Sequence, residues 1–70
     1  MTPEAHVELD ALRERYGMVA FLSLAEAARY VHADPRTLLR DKTFPVKSSG
    51  KPWGHSRVPV VGLALWIARS

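Results

Sequence analysis

The stretch SLAEAARYVHADPRTLLRD, Ser23 to Asp41, carries two helix-start signals with only a short turn between the helices they open. Ser23 and Glu26 match the S-x-x-E capping box, in which each side chain satisfies a backbone N–H of the first turn. Asp34 and Pro35 make the second start. Aspartate supplies an N-cap oxygen, and proline suits a first helical position whose N–H would have no partner. Leu24, Ala27, Ala28 and Val31 form a buried stripe on the first helix, and its two alanines allow close crossing by another helix. His32-Ala33 makes the turn, with His32 expected in the left-handed region that histidine tolerates better than branched residues do. Ala33 and Leu38 occupy the positions of a hydrophobic staple. Leu38 and Leu39 are expected to point inward, and Arg36, Thr37, Arg40 and Asp41 outward. The second helix must stop before Pro45, because the residue preceding a proline avoids the helical region.

The flanks add two more helices. Thr2, Pro3 and Glu4 open an N-terminal helix, Ala5, Leu9, Leu12 and Tyr16 recur on one face of it, and Gly17 is placed to end it. That stripe is expected to pack on the chain's own domain. Pro45-Val46-Lys47 and Arg57-Val58-Pro59 read as two short strands around the turn-rich SSGKPWGHS. A last helix follows Pro59. Val60, Leu63 and Ile67 form one face with Trp66 beside it, yet Val61, Leu65 and Ala68 leave this helix apolar nearly all round. Either the first helix or a partner must cover its second face. The expected fold is mostly α with a small two-stranded β wing, a winged helix-turn-helix with an extra N-terminal helix. Residues 1–20 make that helix, packed on or flanking the domain, and residues 21–70 make the winged domain.

Charge is uneven along the chain. Residues 1–28 hold two arginines against five carboxylates, a balance of −3, and residues 29–70 hold eight cations against two aspartates, a balance of +6. That asymmetry suggests one basic face meeting a polyanion. Without cysteine there is no disulfide and no thiolate ligand for zinc, which fits a reducing cytosol. No apolar run reaches transmembrane length, and residues 1–17 are too acidic and polar for a signal peptide, so a cytoplasmic protein without membrane attachment is expected. His6, His32 and His55 are scattered over separate segments, and neither a paired-carboxylate cleft nor a phosphate-cradling glycine loop is visible. The expectation is therefore no enzyme, no cofactor and no metal.

In a winged helix-turn-helix the second helix enters the major groove of DNA while the first crosses the backbone. Arg36 and Arg40 lie four apart on one helix face with Thr37 beside them. An arginine can donate two parallel hydrogen bonds to guanine O6 and N7, worth about 1–3 kcal/mol of discrimination. Threonine can bind a phosphate or pack on a thymine methyl. Lys42, counted with the recognition helix, would neutralise phosphate beside it, and Lys47, Ser49, Lys51 and Arg57 would hold the backbone through the wing. Trp53 reads as an aromatic folded back over a small core, and His55 as a solvated loop residue.

Glu26-Ala27-Ala28, Thr37 with Arg40, Phe44-Pro45, the basic flap and Trp66-Ile67 stand in an order and spacing that resembles the excisionase and AlpA group of small MerR-like winged-helix proteins. The resemblance covers about residues 21 to 69 and is similar, too, to the DNA-recognition domain of lambdoid small terminase subunits. It implies double-stranded DNA binding in bacteria, phages or mobile elements. Excisionases bend attachment-site DNA and bias an integrase towards excision, whereas AlpA-like relatives regulate transcription. An integrase or recombinase partner and weak self-association or cooperative assembly on DNA follow as expectations. The rival expectation is a protein-interaction module that kept the fold, prompted by the acidic first helix and the apolar last one.

Overall fold

The computed structural model describes residues 2–47 and 56–69. Their order is α1 (Pro3–Tyr16), β1 (Phe21–Ser23), α2 (Leu24–Val31), α3 (Pro35–Arg40), β2 (Arg57–Pro59) and α4 (Val60–Arg69). Most of these residues are helical, and the two strands form one antiparallel sheet. Ser49, Lys51, Trp53 and His55 lie outside the described residues.

Local signals set the helix boundaries. Ala5 N–H donates to Thr2 Oγ1 at 3.2 Å to start α1, and Gly17, at φ 82°, ends it by donating its N–H to Arg13 O at 2.8 Å. The capping box of α2 is complete. Glu26 N–H donates to Ser23 Oγ and Ser23 N–H donates to Glu26 Oε1, each at 3.1 Å. His32 takes the left-handed conformation (φ 58°, ψ 44°), and Ala33 N–H reaches back to Ala28 O at 3.0 Å, as in a Schellman turn. Arg36 N–H then donates to Asp34 Oδ1 at 2.8 Å and opens α3.

The sheet differs from the expected one. Arg57–Pro59 is a strand, but its partner is Phe21–Ser23, and Pro45–Lys47 contributes only an isolated bridge between Lys47 and Arg57. Proline chemistry accounts for the difference. Lys47 and Arg57 exchange two backbone hydrogen bonds, 2.8 and 2.9 Å long. Continuing that ladder would oppose Pro45 to Pro59, and neither has an N–H to donate. The other edge of β2 pairs with β1, bringing Leu22 opposite Val58, both buried. Pro45 instead lies over Gly62 of α4. A Cβ on Gly62 would stand 3.0 Å from Pro45 Cβ and 3.1 Å from Pro59 Cγ, so the absence of a side chain allows this approach.

One core joins all the elements. Leu9 and Leu12 of α1 pack in the same cluster as Leu24, Ala27 and Ala28 of α2, Leu38, Phe44, Val58, and Val60, Leu63 and Ala64 of α4. The first helix is thus built into the core and lies along α4. Arg15 reinforces its C-terminal end, standing 5.6 Å from the Tyr16 ring centre and 5.8 Å from that of Tyr30. Burial, with Glu8 adding to it, pushes the Tyr30 hydroxyl up from its usual pKa. One expectation about packing changes. Leu39 is 41% exposed, because Leu38 takes the single buried position that α3 offers. Although α1 covers part of α4, Val61 and Leu65 remain 45% and 39% exposed.

Candidate nucleic-acid interface

The turn after α2 hands the chain to a helix that is nearly all surface. Of the six residues in α3 only Leu38 is buried, and Arg36, Thr37 and Arg40 all face solvent. Asp34 and Pro35 fix the N-terminal end, and Leu38 anchors the inner face. The spacing of Arg36 and Arg40 leaves them on one side of the helix, with Thr37 one step round. Lys42 follows in the turn beyond α3, also exposed.

A second pair of cations meets at the bridge. Lys47 and Arg57 are directly opposite in an antiparallel, hydrogen-bonded pair, so their side chains leave on the same face. Both are exposed, and among the described residues neither has an ion-pair partner. Like charges placed opposite each other repel, and a counter-anion between them removes that cost. The bridge thus brings two exposed cations side by side at the edge of β2. Those of the expected contact cations that lie among the described residues therefore form two groups, Arg36, Arg40 and Lys42 on α3 and its following turn, and Lys47 and Arg57 at the bridge. Ser49 and Lys51, expected in the same surface, lie outside the described residues.

Sequence reasoning passed over the residues that hold the end of α3. Asp41 Oδ1 accepts from Thr43 N–H at 2.8 Å and from Thr43 Oγ1–H at 2.7 Å. Trp66 Nε1–H of α4 donates to Thr43 Oγ1 at 3.1 Å, and the Trp66 ring meets Phe44 edge-on with centres 5.0 Å apart. The side-chain bond from Thr43, and then its backbone bond, hold the Asp41 carboxyl below its ordinary pKa. A D-x-T pattern just past a helix is the available sequence signal for the local half of this network.

An apolar feature lies elsewhere. Leu9, Arg13, Met18, Val19, Ala20, Pro59, Val60 and Val61 line a groove of about 330 Å³, on which Met18 is 81% exposed. Among the described residues no three His, Asp or Glu side chains gather as metal ligands, and no helix is long and apolar enough to cross a membrane. No family model matches the chain, and no curated protein or solved structure matches it either.

Proposed function

We propose that this chain is a winged helix-turn-helix protein that binds double-stranded DNA sequence-specifically. The observation that carries the reading is α3, a helix with one buried side chain and two arginines and a threonine turned to solvent. On this reading α2, the left-handed turn at His32 and α3 form the helix-turn-helix, and Arg36, Thr37 and Arg40 read base edges in the major groove. Lys42, Lys47 and Arg57 neutralise phosphates. The resemblance at Glu26-Ala27-Ala28, Phe44-Pro45 and Trp66-Ile67 favours an excisionase-like directionality factor of a bacterial cytoplasm, acting beside an integrase and bending its site.

The test is fluorescence anisotropy with a labelled mixed-sequence duplex of roughly 25 bp at two salt concentrations. Binding at about 10⁻⁴–10⁻⁶ M that weakens steeply with salt supports the reading. A folded sample that leaves the duplex unbound at low salt rules it out. One observation favours a second reading, a protein-contact module: Met18, Val19, Val61 and Leu65 are all exposed large apolar residues, and the first three line one groove.

A further inference from the structure

α3 has an anchored beginning and a poorly anchored middle. Six residues are too few for a helix to persist by its own hydrogen bonds, and Leu38 supplies its only buried side chain. Its end lacks the left-handed cap that closes α2; Asp41 is extended there, at φ −79° and ψ 113°. Arg40 is the last residue of the helix, so its guanidinium depends on where this end is held. The link from that end to the core is a relay in which each group has a fitting role. The Thr43 hydroxyl has one proton and two lone pairs, and it donates to Asp41 while accepting from Trp66. The relay crosses from the turn after α3 to the final helix, where the indole also packs at a right angle to the Phe44 ring.

We infer that Thr43 is a positioning residue, which through Asp41 and the Trp66 indole fixes the direction in which α3 presents Arg40 to DNA. This rests on the DNA reading of α3. Thr43 itself need touch no base. Its loss should blur discrimination between sequences and leave the phosphate-driven part of binding intact, because Lys47 and Arg57 belong to a separate bridge.

The experiment uses the whole chain. Wild type selects a preferred duplex from a randomised pool, and its affinity is compared with that for a mixed-sequence duplex at two salt concentrations. Amide exchange at Asp41 and Phe44, whose N–H groups bond Leu38 O and Asp41 O, reports the end of α3 directly. Thr43→Val should speed that exchange and reduce preference for the selected duplex about tenfold, the value of one lost bidentate arginine contact. Affinity for mixed DNA and the salt slope should stay within about twofold and a few tenths, respectively. Thr43→Ser should restore both readouts. Trp66→Phe, which keeps the ring against Phe44 but removes the donor, should reproduce the valine effect in part.

If wild type discriminates and Thr43→Val discriminates equally well, this inference alone is overturned. The same holds if the valine variant weakens selected and mixed duplexes alike, or if serine fails to rescue. A wild type that enriches no sequence overturns the sequence-reading role of α3 and this inference with it.

Discussion

α4 and α3 are both short helices, but opposite kinds of interaction hold them. α4 buries Val60, Leu63 and Ala64 against α1 and the rest of the core, and Gly62 admits Pro45 and Pro59 at close range. α3 buries one leucine and relies on polar closures at its two ends, Asp34 at the start and the Asp41–Thr43–Trp66 relay at the finish. Apolar burial stabilises in proportion to area, so stability concentrates in the first region. The second keeps its outer face for charged groups that have no packing duty. A small chain with little stability to spare can change such a face at low cost to folding.

The largest effect should follow from cutting the α1–α4 contact. Leu63→Ala or Leu12→Ala, each at a fully buried side chain, should cost about 2–5 kcal/mol in urea denaturation. For a domain of this size that is a large share of a total near 4–10 kcal/mol. A cost under about 1 kcal/mol would mean the core does not rest on these two helices. Next in size is Gly62→Ala. Alanine gains about 1 kcal/mol of helix propensity, but two rigid proline rings face the new methyl, and overpacking costs about 1–3 kcal/mol. A net loss near 1 kcal/mol is expected by the same denaturation, and a more stable variant would show that Pro45 yields easily.

Smaller effects sharpen the α3 side. His32→Gly should raise stability by about 0.5–1 kcal/mol, because the left-handed conformation is costly for a residue with a Cβ. No gain in thermal midpoint would show that the imidazole contributes packing of similar worth. The smallest effect concerns acid. Asp41 has its pKa lowered in the folded state, so the stability it contributes is present above the ordinary carboxylate pKa of 3.8 and is lost as pH falls through the lowered value. The difference between wild type and Asp41→Asn should therefore narrow on acidification through that range. An unchanged difference in pH-dependent unfolding would remove the Asp41 charge from the relay.

What could be read from the chain follows the range of the interactions. Caps at Thr2, Ser23 and Asp34 and the turn at His32 involve neighbours within a few residues, and their chemistry is written in adjacent letters. The pairing of β1 with β2 was not legible, because Phe21–Ser23 is three residues long and its partner lies far along the chain. Pro45 and Pro59 carried the clue, since two prolines brought opposite each other cannot extend a ladder. The Thr43–Trp66 bond spans 23 residues, and Gly62 matters only through residues from two other segments. Of the candidate interface, the outward set on α3 was visible from helical spacing, whereas Leu39 was misplaced because so short a helix has room for one inward side chain.

The central claim is that the outer face of α3 serves DNA recognition and contributes little to stability, which rests instead on Leu38 and the core behind it. The direct test is a double variant, Arg36→Ala with Arg40→Ala, followed in parallel by urea denaturation and by titration of the duplex that wild type selects. Stability should change by no more than about 0.5 kcal/mol, as for exposed sites without structural partners. Preference for the selected duplex over mixed DNA should fall by about 1–3 kcal/mol per arginine. Unaltered preference in a folded double variant would contradict the account, and an unfolded one would show that the two arginines belong to the architecture after all.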